Sequence, residues 1–183
     1  MTRQLQASRM NMQAFAKEGE PLVVITPLQK FERLAVELRE PEADSTVSWQ
    51  ADAELRSGSG SEEDIWLHLQ AKTAVTLTCQ RCMAAMQAPL DVDQWYRFVA
   101  TEEIAMAEDD ESEEDLLVME PQFDLTAVLE DELLMALPLV PMHGQCPVAP
   151  KLSAGEDEVA AEEQEKPNPF AMLAQLKDAK GKK

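Results

Sequence analysis

Apolar and polar positions alternate strictly along three stretches of this chain and recur at helical spacing along two others. In "VSWQADAEL", residues 47–55, Val47, Trp49, Ala51, Ala53 and Leu55 alternate with Ser48, Gln50, Asp52 and Glu54. In "IWLHLQAKTAVTLTC", residues 65–79, Ile65, Leu67, Leu69, Ala71, Val75 and Leu77 share one face, and Trp66, His68, Gln70 and Lys72 share the other. In "PLDVDQWYRFVA", residues 89–100, Leu90, Val92, Tyr96 and Phe98 share a face. A period of two predicts strands with one buried face. The second run is long for one strand, which predicts a bend or break near Lys72 to Ala74. "RSGSGSEED" reads as the turn between the first two runs. Short connections between consecutive strands predict an antiparallel meander.

The helical periods flank these strands. "PLQKFERLAVELRE" places Leu28, Phe31, Leu34, Ala35 and Leu38 on one stripe. This predicts a helix over 28–40, opened by Pro27 and closed before Pro41. "FDLTAVLEDELLMALPLVP" places Leu125, Val128, Leu129, Leu133 and Ala136 on another. This predicts a helix over 124–137, with Asp124 as N-cap and Pro138 as terminator. The fold expected is therefore α+β: an antiparallel sheet free to curl towards a barrel, with helices packed on or beside it.

Residues 1–24 show no periodicity over 1–20 and are expected to be a flexible N-terminal segment. Residues 25–150 are expected to form a single domain. Inside it, "EEIAMAEDDESEED" carries nine acidic residues and no base, which predicts an acidic loop over 101–115. "LLVMEP" is expected to return as a short strand. Residues 151–166 read as an acidic linker. Residues 167–183 read as a short amphipathic helix and basic tail, with Asn168 and Pro169 as cap and first turn and Phe170 and Leu173 as anchors.

Charge narrows the partners. The 183 residues have a formal net charge of −19. Residues 1–100 hold 10 basic and 14 acidic side chains, and residues 101–183 hold 6 and 21. Such a field repels phosphate backbones and attracts basic proteins. The N-terminus has no apolar core of the signal-peptide kind, and no run is long enough to span a membrane. With three cysteines and no complete disulfide framework, the expectation is a cytoplasmic, soluble protein without membrane contact.

Candidate chemistry is sparse. Cys79 and Cys82 form a Cys-x-x-Cys pair around Arg81, and His143 and Cys146 repeat the three-residue spacing downstream. A Cys₃His zinc site needs all four. The same pair also fits packing in a hairpin. A redox pair needs a helix N-terminus, whereas this one ends the β-rich run "TAVTLTC". There is no phosphate loop, G-x-S-x-G or H-E-x-x-H. Glu130, Asp131 and Glu132 are consecutive on a helix, so they fan around it as a solvated face rather than converge. No enzyme is expected, and no cofactor. A direct RNA binder would draw on Lys72, Arg81 and Arg97 with Trp66, Trp95 and Tyr96 for stacking.

The order "LTCQRC", then an acidic run, then "DLTAVLEDELLMALPLVPMH", then "EKPNPFAMLAQLK" resembles the YceD family of large ribosomal RNA subunit accumulation proteins. The resemblance covers about residues 25–180. It implies a ribosome biogenesis factor supporting synthesis, processing or stability of 23S rRNA. The action expected is non-catalytic, through basic ribosome-assembly or rRNA-processing proteins, with rRNA engaged indirectly. Direct RNA binding in rRNA maturation is the alternative. The resemblance also carries a pattern like G-x-C-P-x-C-G onto Gly144, Cys146 and Pro147, but its last cysteine falls on Ala149. The expectation is therefore less than one zinc per chain, with Cys79, Cys82, His143 and Cys146 as the only set that could oppose it. Cys79, Arg81 and Cys82 are expected to form a partner-binding hairpin, together with Asn168, Pro169, Phe170 and Leu173 of the tail.

Overall fold

Three long alternating strands do form the centre of the sheet in the computed structural model, which describes residues 7–39, 44–57 and 63–149. The chain divides into two units, Met1–Val148 and Ala149–Lys183. The linker 151–166 and the tail residues Asn168, Pro169, Phe170 and Leu173 lie outside the described residues.

Among the described residues the sheet has five strands: β1 (Leu22–Pro27), β2 (Thr46–Ser57), β3 (Glu63–Thr78), β4 (Ala85–Val99) and β5 (Asp115–Val118). They lie in sequence order, β1-β2-β3-β4-β5. The first four form the expected antiparallel meander, but β5 joins β4 in parallel. The sheet is open, with β1 and β5 as its edges, so it does not close into a barrel. Nor is β3 broken at Lys72 to Ala74. It runs 16 residues without interruption, paired on both sides through Lys72. Thr73 is half-buried between the buried Ala71 and Val75 and donates its hydroxyl to the Thr46 carbonyl at 3.0 Å.

Register aligns the apolar rows. Val24, Trp49, Ala71 and Val92 stand side by side across four strands, and all are buried. Beside them the Trp49 Nε1–H donates to Thr26 Oγ1 at 2.9 Å, which satisfies the polar atoms of two buried side chains.

Among the described residues, the helices α1 (Met12–Glu18), α2 (Glu32–Glu37), α3 (Glu102–Glu108) and α4 (Leu125–Met135) accompany the sheet. α4 matches expectation closely. Asp124 caps it, accepting from the Ala127 N–H at 3.0 Å, and Leu125, Leu129 and Leu133 are fully buried. Val128 and Ala136 pack at the margin of the core.

Three expectations need correction. First, the segment read as flexible, 1–24, contains α1 and the start of β1 within its described part. Asn11 accepts from the Ala14 N–H at 3.0 Å, and Gly19 closes the helix at φ +63°, a left-handed position that suits glycine. Met12 and Ala16 are buried, and α1 packs on β2 and β3. Met10 and Phe123 exchange backbone hydrogen bonds of 2.8 and 2.9 Å, tying the N-terminal segment to the start of α4.

Second, the helix expected over 28–40 is split. Leu28–Lys30 is a single 3-10 turn, and Phe31, with φ −94° and ψ 85°, separates it from α2. Pro27 is extended and ends β1. Leu28, Phe31 and Leu34 are still buried, because a spacing of three suits a 3-10 turn followed by a helix as well as one continuous helix.

Third, the acidic loop 101–115 contains α3. The Thr101 hydroxyl caps it, accepting from the Ile104 N–H at 3.4 Å, and Glu102 and Glu103 sit in its first turn, where the helix dipole favours carboxylates. The missing base comes from β4. Arg97, with a side chain only 15% exposed, bonds Glu114 at 2.7 Å and Glu108 at 2.9 Å and Ser112 at 3.0 Å. That neutralisation lets the acidic run lie against the sheet and deliver β5 as the crossover a parallel pair requires. Arg97→Ala should therefore speed amide hydrogen exchange throughout 101–118 while β2 and β3 keep their protection. Equal acceleration across the sheet would show that Arg97 holds the whole fold instead.

Candidate functional site: a cluster of thiols and imidazole at the β3–β4 hairpin

The β3–β4 hairpin ends in a tight turn over Cys79 to Ala84. The Cys79 N–H donates to the Ala84 carbonyl at 2.9 Å, and the Met83 N–H donates back to the Cys79 carbonyl at 2.9 Å. Met83 has φ +59°, the one positive φ at a non-glycine position among the described residues. A side chain in the left-handed region costs roughly 1 kcal/mol, so the surrounding bonds must hold the turn in place. Arg39 contributes one of them, donating from Nη1 to the Met83 carbonyl at 2.7 Å.

The segment that follows α4 folds against this turn. The Gln80 N–H donates to the Pro141 carbonyl at 2.8 Å. The His143 N–H donates to Cys79 Sγ at 3.4 Å. His143 Nδ1 lies 3.4 Å from Cys82 Sγ, and His143 Nε2 lies 3.1 Å from the Ala85 carbonyl. Cys146 completes the group: one ligand atom from each of Cys79, Cys82, His143 and Cys146 lies within 4.8 Å of all the others. Cys79 is fully buried; Cys82 and Cys146 are half-buried free thiols.

Burial by itself would push the Cys79 thiol up. The backbone N–H groups of His143, Cys82 and Arg81 and the Cys82 side chain outweigh it and hold Cys79 down at about 5. Burial and the two neighbouring thiols push Cys146 up. The cluster thus contains one thiol strongly disposed to ionise and one that resists it.

The other sequence candidates are dispersed. Arg81 is exposed at the tip of the turn, its Nη2 3.9 Å from the Met142 sulfur. Tyr96 is buried on the core face, where desolvation first and the Glu132 carboxylate second push its hydroxyl pKa upward; it is not available to stack on a base. Lys72 pairs with Asp91 at 3.1 Å, on the strand beside it. Trp66 and Trp95 do lie on the outer face, with the Arg56 guanidinium 4.3 and 4.4 Å from their ring centroids. His68 stacks on Trp95 at 4.1 Å with the rings nearly parallel, and its Nε2 lies 2.6 Å from Asp93 Oδ1. That bond, with one from Gln70, holds the Asp93 carboxyl below its ordinary range.

Glu130, expected on a solvated face, has a largely covered side chain. It accepts from the backbone N–H groups of Arg33 and Leu34 at 2.7 and 3.2 Å and from Arg33 Nε at 2.9 Å. A residue of α4 therefore caps α2, 96 to 97 positions earlier in the chain. No local motif announces a cap supplied from so far away.

The family model described as Large ribosomal RNA subunit accumulation protein YceD matches residues 67–177. That span includes the hairpin, α4 and all four clustered side chains. A curated relative from Haemophilus influenzae, Large ribosomal RNA subunit accumulation protein YceD, is 34% identical over 154 residues, covering 74% of this chain and 79% of its own. No solved structure matches. A family match over more than half of the chain, and a relative aligned along most of both sequences, place this chain in the YceD family of large ribosomal RNA subunit accumulation proteins.

Proposed function

We propose that this protein supports 23S rRNA accumulation in the cytoplasm as a non-catalytic assembly factor that binds a basic protein. Family membership supports the role in large-subunit rRNA. The observation that favours a protein partner over RNA is the state of the basic side chains. Arg33, Arg56, Lys72 and Arg97 all pair with carboxylates of this same chain, while residues 101–183 carry 21 acidic against 6 basic residues. An RNA interface needs a basic stripe that phosphates can neutralise.

The cleft of about 480 Å³ beside α2 and α4 is lined by Arg33, Asp124 and Glu130, all three engaged in helix capping or ion pairing. One feature favours the second reading, direct RNA binding: the outer sheet face offers Trp66 and Trp95 under Arg56, and aromatic platforms of this kind stack on bases.

Affinity purification from growing cells, with and without nuclease, tests the choice. Basic ribosome-assembly proteins should remain bound after nuclease treatment, and purified protein should not bind 23S rRNA fragments at low salt. Loss of every partner on nuclease treatment, with tight RNA binding that falls steeply as salt rises, would overturn the protein-partner reading in favour of RNA.

A further inference from the structure

We propose that Cys79, Cys82, His143 and Cys146 bind one zinc ion in a closed tetrahedral Cys₃His site that fastens the segment after α4 to the β3–β4 hairpin. This reverses the expectation drawn from Ala149. The fourth ligand is supplied by His143, three residues before Cys146, instead of by a residue three after it. Two ligand pairs of equal spacing, 79/82 and 143/146, then meet across the hairpin.

Convergence is the first support. The chain has three cysteines and two histidines, and all three cysteines and one histidine meet within 4.8 Å although the two pairs are separated by some 61 to 64 residues. Three thiols cannot be satisfied by intrachain disulfides alone, whereas three thiols and one imidazole are a complete structural zinc set.

Distances and directions agree. With metal–ligand bonds of about 2.3 Å to sulfur and 2.0–2.1 Å to nitrogen, a tetrahedron has edges of about 3.5–3.8 Å. The Cys82 Sγ to His143 Nδ1 separation of 3.4 Å is already close to such an edge. Drawing the remaining atoms in from at most 4.8 Å needs only small side-chain rotations.

The imidazole is oriented for this role. Its Nε2 faces the Ala85 carbonyl at 3.1 Å, and a carbonyl only accepts, so the proton sits on Nε2. Nδ1 is left with its lone pair turned towards the thiols. A backbone carbonyl fixing the far nitrogen is the usual second partner of a metal-bound histidine. The backbone gives the sulfurs similar support, with the His143 N–H aimed at Cys79 Sγ. The left-handed Met83 just after Cys82 folds the turn so that both sulfurs of the first pair face the second.

The donor set selects the ion. Thiolate-rich tetrahedral sites favour zinc over magnesium, calcium or manganese, and four protein ligands leave no position for a substrate. The site is thus structural, and Arg81 stays exposed at its rim.

The test uses the full chain, reduced, with zinc or cobalt ions as the only probes. Elemental analysis after dialysis should find one zinc per chain. Apo-protein titrated with Co²⁺ should develop the intense visible and thiolate charge-transfer absorption of a tetrahedral, sulfur-rich site, bleached by one equivalent of zinc. His143→Ala and Cys146→Ser alter a segment outside the sheet and helices, so their circular dichroism should match the wild type. Each should weaken zinc binding by about 100-fold or more, at or above the effect of losing a supporting partner. A folded, reduced wild-type protein that takes up no zinc from excess overturns the proposal. So does a weak octahedral cobalt spectrum, or undiminished stoichiometric zinc in both variants. Should either variant fail to fold, the wild-type cobalt spectrum alone decides.

Discussion

Leu129→Ala should lower the free energy of unfolding by about 2–5 kcal/mol, the range for deleting most of a fully buried leucine. Leu129 is completely buried at the centre of the Leu125, Leu129 and Leu133 row, and α4 is the element that packs against β3, β4 and α2 at once. The shortened side chain removes apolar burial and leaves a cavity between a helix held by its Asp124 cap and a sheet held by its ladder. Neither can close in without loosening contacts elsewhere. Urea denaturation should show a lower midpoint with an unchanged slope. Leu139→Ala is the control: Leu139 is fully exposed and its truncation should stay within about 0.5 kcal/mol of wild type. If Leu129→Ala and Leu139→Ala have similar effects, α4 is not the packing centre described here.

The elements that alternation or a capped stripe marked are the ones whose structure is decided locally. β2 carries its own two-sided pattern over a full strand, and in α4 the cap, stripe and terminator all agree, so tertiary context had little to add. α1 has the same grammar, Asn11 before and Gly19 after, but only seven residues, about two turns, too short for a helical period to stand out. β5 was legible as a strand but not in its direction, because a four-residue strand takes its orientation from the crossover before it. That crossover depends on Arg97, which lies outside the acidic window and pairs with Glu108 and Glu114 inside it. The thiol cluster shows the same division. Spacing nominated the four residues, yet position-by-position comparison gave weight to Ala149. Only the fold shows that the chain approaches the hairpin so that His143 comes alongside Cys82.

Glu130→Ala should cost about 1–2 kcal/mol, because it removes a helix cap. Phe31, at the N-cap position of α2, makes no side-chain cap, so the first N–H groups of that helix have no local acceptor. The Glu130 carboxylate, with only 13% of its side chain exposed, serves two of them at 2.7 and 3.2 Å. Negative charge at that end is also favoured by the helix dipole. Truncation takes the acceptor from two backbone donors, the part-buried Leu34 N–H and the more exposed Arg33 N–H, whereas Glu130→Gln keeps an acceptor oxygen and should cost about half as much or less. The competing account is that Glu130 acts through its ion pair with Arg33, whose side chain is half exposed and whose pairing is therefore weak in water. A double-mutant cycle separates the two. If capping dominates, Glu130→Ala should remain nearly as destabilising when introduced into Arg33→Ala. If instead Arg33→Ala alone reproduces the loss, and adding Glu130→Ala costs nothing more, the ion pair and not the cap joins α4 to α2.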